Sequence, residues 1–198
     1  MSNFRRRLMM QRKASILPAG YTQLEYIERD ADNQGYIDTG IKMKPSYSML
    51  LDFNPLSKSY MGSTPSFWGG RYFYFFTSSR GYRLYPFRDI IPVSFSLESM
   101  PLGTWQRAIL DNNYITMGGY TYAVSDMNDT YNFILLSDRY LGESYSQISY
   151  FKVSDGDTVL MELIPARRNS DSEVGMYDLV SNNFLTSPSG TIKAGPKI

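Results

Sequence analysis

The chain has 198 residues, 42% of them hydrophobic and 15% aromatic, with neither cysteine nor histidine. That length supports one domain with a sizeable core. The missing residue types exclude disulfides, thiolate metal sites and a histidine general base, so catalysis would rest on carboxylates, Tyr, Lys or Ser, and metal binding on oxygen ligands.

The net charge of +1 is unevenly placed. Arg5, Arg6, Arg7, Arg12 and Lys13 lie in the first 13 residues with no acid among them, which leaves 15 basic against 19 acidic residues, or −4, for the body. A basic arm on a mildly acidic globe suits docking on something negative; the plainer alternative is a solvated tail. Phe4, Leu8 and Met9 fall near one side of a short basic helix that could order only against a partner or its own domain. Leu8-Met9-Met10 is too short for the apolar part of a secretory signal, and no apolar run approaches the roughly 20 residues of a membrane-spanning helix. Synthesis in the cytoplasm without signal-directed export is expected. Leu17-Pro18-Ala19-Gly20 breaks the chain and sets the expected boundary between an arm, residues 1–16, and a domain, residues 17–198.

Beyond that break the pattern is β throughout. Leu24, Tyr26 and Glu28 alternate as in a strand, and Tyr36 to Ile41 reads as a second, ending near Gly40. Tyr47 to Phe53 is a third, with Met49, Leu51 and Phe53 on one face. Ser66 to Thr77 is the most aromatic stretch, with a bend expected at Gly69-Gly70. Tyr82 to Phe87 follows, and Ile90 to Leu97 carries Pro92, which suits an edge. Gly103 to Leu110, the turn Asp111-Asn112-Asn113 and Tyr114 to Met117 form a hairpin; Tyr120 to Val124 and Asn132 to Leu136 continue the pattern. Ile148, Tyr150 and Lys152 alternate toward the turn Ser154 to Asp157, and Val159 to Ile164 returns and stops at Pro165. A polar loop, Ala166 to Glu173, then leads to Val174 to Val180. Turn signals every 8–12 residues or so predict an antiparallel β-sandwich.

Several of these segments resemble one family. Leu24-Glu25-Tyr26-Ile27-Glu28 followed by Gly35-Tyr36-Ile37-Asp38-Thr39-Gly40-Ile41 looks like the opening of concanavalin A-like or laminin-G-like jelly-roll domains, frequent in gut bacteria and their phages. Gly103-Thr104-Trp105 with Asp111-Asn112-Asn113 is similar to the central region of that group. Tyr150 to Val153, Leu163 to Arg167, Val174 to Leu179 and Asn183 to Leu185 are similar to its later strands, and Ser189 to Gly195 to its close. The resemblance spans residues 17 to 195. It implies an all-β jelly roll and leaves the activity open, because one fold hosts many. The arm looks like openings found on phage-encoded proteins of this type. Departures lie at Arg29 to Gln34 and in the aromatic region Tyr60 to Phe87.

Candidate chemistry is sparse. A retaining glycosidase needs two carboxylates about 5–5.5 Å apart, which on a strand means acids at alternate positions, and no such run exists. Asp30/Asp32, Asp155/Asp157 and Asp171/Glu173 all fall in predicted turns, where Asp bonds the backbone. Asp30 to Gly35 begins like an EF-hand loop, but its twelfth position is Ile41 rather than Glu, so an acidic turn is expected ahead of a calcium site. Trp68, Arg71, Tyr72, Tyr74, Tyr82, Tyr85 and Arg88, with Arg83 nearby, offer aromatic faces for sugars and guanidinium groups for acidic ones. The same set suits a subunit contact, or a core face plus a covering one. The five charges of the arm would attract nucleic acid only nonspecifically, and the body has no matching basic stripe.

The resulting expectation is a non-catalytic structural and adhesion module without a cofactor, by resemblance a phage virion appendage or decoration protein. The arm would anchor it to other virion or assembly proteins, and a homo-oligomeric body would be displayed toward host surface glycans. A secreted or cell-surface carbohydrate-binding lectin, a glycoside hydrolase and a pure assembly protein that binds no sugar are the alternatives.

Overall fold

A computed structural model describes residues 16–56, 101–123, 131–137 and 145–198 with their side chains, and the backbone of the strands at 66–69, 73–78, 81–86 and 93–95. Its strands are β1 (Tyr21–Gln23), β2 (Ile27–Arg29), β3 (Ile37–Asp38), β4 (Tyr47–Pro55), β5 (Ser66–Gly69), β6 (Phe73–Ser78), β7 (Gly81–Pro86), β8 (Val93–Phe95) and β9 (Gln106–Asp111). They continue with β10 (Tyr114–Met117), β11 (Tyr120–Ala123), β12 (Ile134–Leu135), β13 (Ser146–Asp155), β14 (Thr158–Arg168), β15 (Val174–Asp178), β16 (Phe184–Thr186) and β17 (Lys193–Ala194). No helix occurs among the described residues. The arm residues Arg5, Arg6, Arg7, Arg12 and Lys13 lie outside them.

The strands form two antiparallel sheets. The larger, of 11 strands, runs β11-β10-β9-β4-β13-β14-β15-β16, with β1 on β14, and β2 between β13 and β17. The smaller runs β3-β12-β5-β6-β7-β8, which puts β8 at an edge, as Pro92 suggested. Residues of both sheets share one core. Met49, Leu51 and Phe53 of β4, Ala108 and Leu110 of β9, and Phe151 and Val153 of β13 are buried with Ile37 of β3 and Leu135 of β12. Phe133 stacks on Phe151 with ring centroids 5.4 Å apart. Two antiparallel sheets closing on a common core are consistent with a β-sandwich.

Turn chemistry sets the hairpins. Asn112 and Asn113 both take positive φ (49° and 62°) between β9 and β10, a type I′ requirement that asparagine meets cheaply. At the β13–β14 turn only Gly156 does (55°), a glycine-first turn of the II′ kind.

Three expectations change. Leu24, Tyr26 and Glu28 do not share one strand: β1 pairs with β14 and β2 with β13, so the chain bends at Glu25-Tyr26 in stepping between neighbours. Pro165 does not end its strand, and the loop predicted from Ala166 begins only after Arg168. Pro165 sits where β13 has stopped pairing, last at Phe151–Leu163, and β1 takes over at Ala166, so its missing N–H breaks no ladder bond. Ile148 does not share a face with Tyr150 and Lys152. The register of β13 on β4 slips between Ile148 and Tyr150, so Ser149 is an extra residue, and Ile148, Phe151 and Val153 all point into the core.

Candidate functional site

The outer face of the large sheet carries a groove of about 610 Å³. Its floor follows from strand alternation. With Leu51 and Phe53 facing inward, Asp52 and Asn54 of β4 face outward. Arg107 of β9 lies directly opposite Asp52, and Gln147 of β13 opposite Asn54. The bulge brings Ser149 to the rim. Glu25 and Tyr26 form one wall, both turned to the groove because the chain bends there instead of alternating. Gly103, Trp105 and Gln106 complete the lining.

Two aromatic rings meet in this groove. Tyr26 and Trp105 lie 6.0 Å apart at an interplanar angle of 51°. Tyr26 is held from behind by the C-terminal segment: Gly195 N–H donates to the Tyr26 carbonyl at 2.9 Å, and Glu25 N–H to the Pro196 carbonyl at 2.8 Å. A Cβ at Gly195 would sit 2.6 Å from that carbonyl oxygen and 2.8 Å from the Tyr26 ring, so only glycine fits without moving the wall.

The polar floor is a row of cross-strand partners. Arg107 donates from Nε and Nη2 to the two oxygens of Asp52 at 2.6 and 2.7 Å, a bidentate pair. Its guanidinium is held further toward the charged form, first by that hydrogen bond and against partial burial. Asn54 Nδ2 donates to Gln147 Oε1 at 2.9 Å, Gln147 Nε2 to Glu28 Oε2 at 2.6 Å, and Lys193 Nζ to Glu28 Oε1 at 2.7 Å and to Asp30 Oδ2 at 3.1 Å. The Asn54–Gln147, Gln147–Glu28 and Glu28–Lys193 links join residues paired across β4, β13, β2 and β17. Glu28 can only accept, which turns the Gln147 amide toward it and leaves Asn54 donating to Gln147. Asn54 Oδ1, buried, is then without a partner among the described residues. Beside the floor, the Tyr150 hydroxyl donates to Glu162 at 2.7 Å; burial first, and that bond second, raise its pKa.

Asp30 to Gly35 is an acidic turn. Asp30 Oδ1 accepts from the backbone N–H of Asp32 and Asn33 and from Asn33 Nδ2 at 2.9–3.0 Å. The Asn33 side chain, with Lys193 and the backbone helping, lowers the Asp30 pKa to about 2. Asp171 likewise pairs with Arg168 and accepts from Glu173 N–H. Among the described residues no three acidic side chains converge as metal ligands would.

The aromatic stretch picked out by composition lies elsewhere. Trp68, Tyr74, Tyr82 and Tyr85 fall on β5, β6 and β7 of the small sheet, with Tyr74 paired to Tyr85, Trp68 to Phe75 and Tyr82 to Phe95. Arg71, Tyr72 and Arg88 lie outside the described residues. The groove is made instead by Tyr26 and Trp105, read from sequence only as strand and family pattern, and by Asn54 and Gln147, which the sequence did not single out. The signal for Trp105 was a lone tryptophan after a glycine turn, just ahead of a strand whose Ala108 and Leu110 are core.

No protein-family model, no curated protein and no solved structure matches this chain.

Proposed function

We propose that this chain is a non-catalytic adhesion module, a jelly roll of the concanavalin A-like kind, that binds a glycan in the Tyr26–Trp105 groove. The observation that carries this reading is the pairing of two aromatic rings with a floor of planar polar side chains. Rings stack on the C–H faces of sugars, while Asn, Gln, Asp and Arg meet their hydroxyls in fixed orientations. The resemblance extends the proposal to its setting: a phage virion appendage, homo-oligomeric, held to its particle by the basic arm.

The test is calorimetric titration of the full chain with neutral oligosaccharides. Trp105→Ala is expected to weaken binding by about tenfold or more, given 1–3 kcal/mol for a lost aromatic stacking partner. Equal affinity in the variant rejects the groove as the site. Deleting residues 1–16 should leave sugar binding intact and abolish incorporation into the particle; normal incorporation would reject the anchor.

One observation favours a second reading, a glycoside hydrolase: Glu25 and Asp52 line the same groove. Against it, both oxygens of Asp52 are engaged by Arg107. Release of reducing sugar that disappears in Asp52→Asn would select the hydrolase.

A further inference from the structure

We infer that the groove prefers a glycan bearing a free, protonated amine over its N-acetylated or acidic counterparts, with Glu25 as the residue that sets this preference. The inference rests on the glycan reading above and names its ligand class. Among the described residues three charged side chains line the groove, Glu25, Asp52 and Arg107. The last two neutralise one another through the bidentate pair. Glu25 makes no side-chain hydrogen bond or ion pair to any described residue and remains half-buried beside the two rings. Among the described residues the groove therefore carries one uncompensated negative charge.

The other groups point the same way. Asn54, which lines the floor, has its amide N–H committed to Gln147, and its oxygen is buried. The strongest donor nearby, Arg107, has Nε and Nη2 committed to Asp52. An unengaged Glu25 carboxylate beside committed donors calls for a donor-rich ligand, and an ammonium group supplies three donors and a charge. Electron-rich faces of Tyr and Trp attract cations as well. An N-acetyl group removes the charge and two of those donors. A uronic or sialic carboxylate would place a second negative charge against Glu25 without freeing Arg107.

The experiment titrates the full chain with three oligomers of equal length: glucosamine, N-acetylglucosamine and galacturonate. The wild type is expected to bind the glucosamine oligomer about tenfold more tightly than the N-acetylated one, the scale of a charge-assisted hydrogen bond, and the galacturonate oligomer most weakly. Glu25→Gln should erase the difference between the first two while still binding both. Trp105→Ala should weaken all three. Equal or tighter binding of the N-acetylated or acidic oligomer by the wild type overturns the inference. So does a preference that persists in Glu25→Gln, because attraction to the acidic body as a whole would survive that change. Binding of the N-acetylated oligomer without an amine preference defeats only the charge argument; binding of none of the three defeats the glycan reading itself.

Discussion

The two faces of β4, β9 and β13 are made from the same stretches of chain and held by different forces. Inward, Leu51, Phe53, Ala108, Leu110 and Phe151 are fully buried in one hydrophobic cluster. Outward, Asp52, Asn54, Arg107 and Gln147 are joined side chain to side chain across the register. Dispersion and desolvation are indifferent to direction, so the inner face specifies volume. Hydrogen bonds are directional, so the outer face specifies orientation, and an oriented set of donors and acceptors is what recognition requires. One sheet thus separates stability from selectivity by the alternation of its side chains.

This contrast can be broken by substitution. Phe151→Ala should cost about 3–5 kcal/mol, lost transfer plus a cavity under the Phe133 ring, read as a lowered urea midpoint; a loss under about 1 kcal/mol would mean the core is not where stability resides. Glu28→Ala should cost less, about 1–3 kcal/mol, because it removes the acceptor for Gln147 and Lys193 near a buried position. It should also loosen the groove floor, seen as weaker glycan binding. Arg107→Ala should change stability by no more than about 1 kcal/mol, since the pair is partly exposed, yet weaken binding of a neutral oligosaccharide several-fold; an effect mainly on stability would erase the distinction between the faces.

The smallest effect is expected at Asp30. Its folded pKa of about 2 lies below the ordinary carboxylate value. The turn therefore contributes stability above about pH 4 that is lost as pH falls toward 2. In acid titrations followed by tyrosine and tryptophan fluorescence, wild type and Asp30→Asn should differ above pH 4 and converge near pH 2.

Legibility in the sequence followed the range of the interactions. The alternation of Met49, Leu51 and Phe53 needs only neighbours two apart, and the Asn112-Asn113 and Gly156 turns need only local backbone preference, so all were readable. Pro165 was misread because a local rule, that proline ends strands, met a non-local exception, the exchange of β13 for β1 beside it. Tyr26 and Trp105 are 79 positions apart and meet only because the strand order puts β9, β4 and β13 side by side; no periodicity along the chain encodes that. Composition drew attention to Trp68, Tyr74, Tyr82 and Tyr85 because aromatic density is visible in one dimension, whereas a groove floor contributed by three strands is not.

The extra residue in β13 works as a phase slip. Before it, even-numbered Ile148 belongs to the interior; after it, odd-numbered Phe151 and Val153 do. Position 149 should therefore accept many different residues, and its deletion should leave the inward set of β13 unchanged. A deletion there would restore simple alternation with Ile148, Phe151 and Val153 all still facing inward, whereas flattening the bulge with residue 149 retained would turn Phe151 and Val153 out to water and Lys152 into the hydrocarbon. The kink that absorbs one extra amino acid is thus what lets both halves of the strand keep their apolar side chains inside.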